Sequence, residues 1–151
     1  MAFLSQLFGS KTSDRKSKSN DTIEAIINDI ENKPFGVSES NVLFAGLNEL
    51  GGYFFFQTVI VGDLNVKCKN GAQLYFAGDD FKLKLEADMP EFESENSDIK
   101  GRNVTKIDFQ IEESEVKKLE NATLRSIQLK VKKHDILFSK YVVIESSDEE
   151  E

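Results

Sequence analysis

The chain has no tryptophan, one cysteine, one histidine and two prolines among its 151 residues. Each scarcity closes off a class of function. A lone cysteine makes no intrachain disulfide, so the expected setting is the reducing cytoplasm. One histidine and one cysteine cannot supply a Cys/His zinc site or a pair of histidine bases. Gly51-Gly52 precedes an apolar run instead of leading from a strand into a helix, the wrong order for a phosphate-binding loop. No G-x-S-x-G motif marks a nucleophile. Long hydrophobic runs are missing too: Tyr53–Val61 is interrupted by Gln57 and Thr58 and suits a strand buried on both faces better than a membrane span. The opening Met1-Ala2-Phe3-Leu4 lacks a basic region, and its apolar segment stops at Phe8, too short for a secretory signal.

What is present is alternation. From Tyr53 to Ile144 the chain reads as seven apolar/polar segments separated by turn residues, the pattern of half-buried antiparallel strands. The expected strands are Tyr53–Val61, Leu64–Lys69, Ala72–Ala77, Phe81–Ala87, Val104–Ile111, Leu124–Lys132 and Ile136–Ile144. Asn70-Gly71 is the strongest hairpin signal, because both central residues of a type I′ turn need positive φ. Before the strands, Ile23, Ile26, Ile27 and Ile30 form one apolar stripe, predicting a helix over Asp21–Asn32, capped by Asp21 with Glu24 and stopped at Pro34. Residues 37–52 suit a short helix through Leu43, Leu47 and Leu50 or a strand through Val42-Leu43-Phe44-Ala45, and the helix is preferred. Glu113–Asn121 predicts one or two helical turns burying Val116 and Leu119.

The expected fold is therefore α+β: a predominantly antiparallel sheet of six to seven strands, curled, sandwiched or closed as a small barrel, with the amphipathic helix on it. Three parts are expected along the chain: a flexible segment over 1–19, a single domain over 20–145 and a disordered acidic tail over 146–151.

The net charge of −8 is uneven: residues 86–98 carry six acids and no base, and 148–151 carry four more. Without those ten acids the rest of the chain carries +2, so the acidity belongs to one loop and one tail. The loop from Asp88 has too little apolar content to order itself and is expected to be mobile. Its Glu91, Glu93, Glu95 and Asp98 offer hard oxygens, but calcium-loop spacing is missing, and no metal or cofactor is expected.

Candidate sites are surfaces. Alternation points Lys67, Lys69, Lys82, Lys84, Lys130 and Lys132 outward, with Tyr75 among them, as a basic sheet face suited to an anionic partner. The ordinary reading is that lysines keep exposed strands soluble. Phe3, Leu4, Leu7 and Phe8 form an apolar turn followed by scattered bases, either a weak membrane contact or a tail that docks on the chain's own core or a second subunit. Phe54, Phe56, Leu74, Phe76, Phe81 and Phe109 would line an apolar cavity if the strands enclosed one. Cys68, alternating with Leu64 and Val66, reads as a core residue, and His134 as an exposed turn residue with no catalytic role. The leading expectation is a non-enzymatic, cytoplasmic binding or accessory module with a protein partner, no catalytic residues and no role for nucleic acid. The alternatives are a small apolar ligand-binding barrel and a protein peripheral to an anionic membrane surface.

Overall fold

The computed structural model describes residues 21–142, so Phe3, Leu4, Leu7, Phe8 and the acidic tail lie outside the described residues. In chain order the elements are α1 (Ile23–Asp29), β1 (Gly36–Val37), β2 (Asn41–Leu50), β3 (Tyr53–Gly62), β4 (Lys67–Cys68), β5 (Gln73–Gly78) and β6 (Phe81–Glu86). Then come β7 (Phe92–Glu93), β8 (Glu95–Asn96), β9 (Asn103–Ile111), α2 (Glu113–Asn121), β10 (Leu124–Val131) and β11 (His134–Lys140). Nine strands form one antiparallel sheet in the order β6-β5-β10-β11-β1-β2-β3-β9-β8, while β4 and β7 pair separately. The large sheet curls into a half-barrel. Ala87, just past β6, makes an isolated antiparallel bridge to Phe109 of β9, and the Asp88 amide donates to the Asp108 carbonyl at 2.8 Å.

Alternation explains the core. On the concave face Leu43, Phe56, Ile60, Leu74, Phe76, Phe109, Ile127, Leu129 and Phe138 are all buried together, each contributing about 1.5–3 kcal/mol by leaving water. Phe56 stands edge-on to Phe76 at 5.2 Å between ring centroids. Helix α2 adds Val116 and Leu119 to this core, as the sequence predicts. A second cluster forms on the convex face, where Ile26 of α1 packs with Val42, Phe44 and Val61. The inner ends of β2 and β3 are therefore covered on both sides.

Several expectations are corrected. Residues 37–52 are not a helix: Asn41–Leu50 is a strand paired with β3 at ten positions. Val42, Leu43 and Phe44 are all buried, which a strand between two apolar layers achieves and a one-faced helix does not. The helix cap is Thr22, whose hydroxyl accepts the Ala25 amide at 3.0 Å, and the helix covers Ile23–Asp29 rather than Asp21–Asn32. Asp21 is instead held by Arg102. Of Leu64–Lys69 only Lys67–Cys68 is strand, and it pairs with Phe92–Glu93 rather than across Asn70-Gly71. At that dipeptide Gly71 has φ 83° while Asn70 has no positive φ. The Asn70 amide donates to Cys68 Sγ at 3.4 Å, so the buried thiol shapes the turn. The tight hairpin falls at Gly51-Gly52, with φ 61° and 87°, where two positive values in sequence call for glycine.

The acidic loop is ordered. Phe92 packs against the core, and Ser94 donates its amide to the Val66 carbonyl at 2.8 Å. Its hydroxyl lies 2.6 Å from Thr105 Oγ1. One aromatic and one serine supply the anchorage that the acid count conceals. The sheet's nine strands exceed the six or seven expected, and β11 begins at His134 rather than Ile136, placing the turn at Lys132-Lys133.

Candidate functional site

At the outer half of the β2–β3 hairpin several apolar side chains are exposed and none of the described residues covers them. Leu47, Leu50 and Tyr53 are 38, 68 and 72% exposed, and Phe54 and Phe55 are half-buried. Leu50 faces Tyr53 across the strands, and Leu47 faces Phe56. Strand pairing sends Tyr53, Phe55 and Leu50 to the convex side, beyond the reach of α1. Leu50, Tyr53 and Phe55 thus share one small apolar patch on the convex side, while Leu47 lies on the concave side and Asn48 and Glu49 stand opposite Phe55 and Phe54. Exposed apolar patches mark contact surfaces.

A cleft of about 570 Å³ opens beside this end, where β6 and β9 diverge past the Ala87–Phe109 bridge. Its apolar lining includes Phe54, Leu85 and Ile111, and its rim carries Glu112, Glu113 and Glu115 from the start of α2. Lys84 also lines it but is paired with Glu86 at 3.3 Å. The rim acids sit where a helix start favours negative charge. Glu112 and Glu115 form a capping box, with Glu115 Oε1 accepting the Glu112 amide at 3.3 Å. A smaller cleft of about 430 Å³, lined by Leu47, Phe56 and Leu119 among others, opens on another side of the same hairpin.

The predicted basic face is divided. Tyr75 lies between Lys84 and Lys130, whose ammonium nitrogens are 5.8 and 5.4 Å from its ring centroid, within cation–π range. Lys82 shares β6 with Lys84. Lys67 and Lys69, however, belong to and follow β4 in the separate small sheet. Lys132, with φ 54° at the β10–β11 turn, donates to the Lys67 carbonyl at 2.9 Å. Acids adjoin two of the remaining four: Glu86 pairs with Lys84, and Asp135 is the cross-strand neighbour of Lys130. Nearby, the exposed Arg125–Asp79 pair, 2.9 Å apart, keeps the Asp79 carboxyl below its usual range.

Of the six residues expected to line a cavity, Phe56, Leu74, Phe76 and Phe109 are buried in the core, and Phe54 and Phe81 pack against it half-buried. Cys68 is 2% exposed. His134 lies at a polar cleft of about 540 Å³ that also includes Ser38, Ser40, Asp63 and Asp135. No Ser–His pair forms there. Ser38 Oγ accepts the Ser40 and Asn41 amides and donates to the Asn41 carbonyl, so its hydroxyl is engaged with the backbone and not with His134. Among the described residues no group of three or more His, Cys, Asp or Glu could hold a metal ion, and no helix is long and apolar enough to cross a membrane.

One ionic cluster is structural. Arg102 Nε and Nη2 grip Asp21 at 2.6 and 2.7 Å, and Nη1 reaches Asp29 at 3.0 Å. The Arg102 and Asp21 side chains are each 7% exposed. Hydrogen bonding to Asp21, then to Asp29, raises the guanidinium above its ordinary range. A raised folded pKa gives stability that is present below the unfolded value and lost only as pH rises through the folded one. This clamp therefore keeps its cation throughout the neutral and alkaline range, fastening α1 to the start of β9.

Sequence reasoning missed the hairpin end because residues 37–52 read better as helix. The available signal was Gly51-Gly52 between two apolar runs, a recognised two-residue turn. Comparison with protein-family models, with curated proteins and with solved structures returns no match, so the function rests on this geometry.

Proposed function

We propose that the protein is a non-enzymatic binding module that contacts a protein partner through the uncovered end of the β2–β3 hairpin. The observation behind this reading is the exposure of Leu50 and Tyr53, 68 and 72%, side by side on a rigid strand pair. Tyrosine is one of the residues enriched in energetic hot spots, and Leu50 beside it adds apolar area to be desolvated with it. The hairpin also borders an apolar cleft, which gives a partner side chain a pocket to enter. The charged face around Tyr75 is the weaker candidate, because Lys84 and Lys130 already have acidic neighbours.

The test begins with partners that co-purify with the full chain, identified and then purified. Each is titrated by calorimetry against the wild type and the Leu50→Glu/Tyr53→Glu variant. Loss of about tenfold or more in affinity is expected for a hot-spot pair. Unchanged affinity there, with loss in Lys82→Glu/Lys84→Glu/Lys130→Glu, would move the contact to the basic face and overturn the proposal.

A further inference from the structure

We infer that this surface has an intramolecular occupant: the chain's own N-terminal segment seats Phe3, Leu4, Leu7 and Phe8 against the hairpin end and its cleft. The inference rests on the reading of the hairpin as a contact surface and adds what covers it when no partner is bound.

Three observations support it. The first is chemical match. The cleft has an apolar lining with Phe54, Leu85 and Ile111 under an acidic rim, and residues 1–20 combine four large apolar side chains with Lys11, Arg15, Lys16 and Lys18. The second is charge. Lys84, Glu86, Glu112, Glu113 and Glu115 line the cleft and sum to −3, while residues 1–20 hold four bases and one acid, or +3. Opposite potentials of this kind select a partner and steer its approach.

The third is reach. Arg102 anchors Asp21 next to Asn103, the cross-strand partner of Gly62, at the far end of β3 from Tyr53. A ten-residue strand such as β3 spans about 30 Å. Residues 9–20 extend to about 40 Å at about 3.3 Å each. The tether is long enough to place Phe8 at the hairpin end, with little slack. A tether of this length holds the segment at an effective concentration of roughly millimolar, so modest contacts suffice to seat it. A partner must then displace the segment, which makes binding competitive.

The absence of tryptophan offers a direct test in the full chain. Phe8→Trp introduces a single reporter in the segment, and its emission is compared with that of the same protein in denaturant. A blue-shifted emission is expected, unchanged on dilution, and lost in the Leu50→Glu/Tyr53→Glu background. Glu113→Lys, which leaves the hairpin intact, should weaken the shift, as should added salt. Emission typical of full solvent exposure would overturn the inference, as would a shift that survives the hairpin changes. A shift that fades on dilution would mean a second copy is the occupant. A shift appearing only with added phosphatidylcholine/phosphatidylserine vesicles would mean a membrane is, and either result overturns the inference. The two readings fail separately: partner titration tests the surface, and the tryptophan reports its occupant.

Discussion

The inner and outer halves of the β2–β3 hairpin share strands, register and twist, yet they live in different environments. At the inner half, Val42, Leu43 and Phe44 meet Ile60 and Val61 between the concave core and α1, and all five are buried. At the outer half, Leu47, Leu50 and Tyr53 are paired by the same ladder and stand in water. Backbone pairing therefore does not decide where apolar residues are placed. The inner half is apolar because two layers cover it, and folding explains it completely. At the outer half Phe54 and Phe56 serve the core, but Leu50 and Tyr53 bury little, so folding does not account for their apolar character, and this excess makes them the candidate contact surface.

Substitutions should separate the two halves. Phe56→Ala, at the inner edge of the exposed region but 3% exposed itself, is expected to cost the most, about 3–5 kcal/mol, as a large cavity in the core. Urea unfolding measures it, and a cost below about 1 kcal/mol would mean the concave core is looser than its burial implies. Next comes Arg102→Met, which takes the guanidinium away from the buried Asp21 carboxylate. Its expected cost is about 3 kcal/mol, the low end for a broken buried pair because Asp29 is half-exposed. Adding Asp21→Asn should recover part of that loss, and no recovery would assign Asp21 a different role.

Gly52→Ala puts a side chain at φ 87° and is expected to cost about 1–2 kcal/mol, read as a lower midpoint of thermal unfolding. If it is neutral, the turn is free to change type. Smallest of all is Leu50→Glu/Tyr53→Glu, expected to leave stability within about 0.5 kcal/mol per site while abolishing the contact. A large destabilisation there would collapse the distinction between the halves, showing that the outer residues serve the fold after all.

Much of this was legible in residue order. Phe81-Lys82-Leu83-Lys84-Leu85 alternates cleanly and is a strand. Glu113–Asn121 is a helix burying the two residues its spacing selects. Cys68 is in the core because its neighbours at two-residue spacing are. What misled was local ambiguity settled by distant partners. Val42-Leu43-Phe44 gives no period, and only the arrival of β3 on one edge, β1 on the other and α1 above makes it a strand. Asn70-Gly71 has the better turn composition, yet a thiol contact and the pairing of β4 with β7 override it. The acidic stretch looked unanchored because counting charges gives no weight to Phe92 and Ser94. The basic face is divided between two sheets because strand-by-strand parity says which side a lysine takes, not which sheet its strand joins. The hairpin surface was missed together with β2, since an exposed strand end cannot be noticed inside a segment assigned to a helix.

Strand β1 has a mechanical consequence. It joins β11 to β2 through two paired positions on each side, whereas β2 and β3 are laced at ten. The sheet is thus two stiff panels, β6-β5-β10-β11 and β2-β3-β9-β8, stitched by a short seam on one side and one bridge on the other. Both panels contribute to one core, with Phe56 meeting Phe76 across it, so packing holds them together while the backbone pairing between them is thinnest at those stitches. Amide exchange should reveal this as a slow-exchanging pair of panels bordered by a fast-exchanging seam.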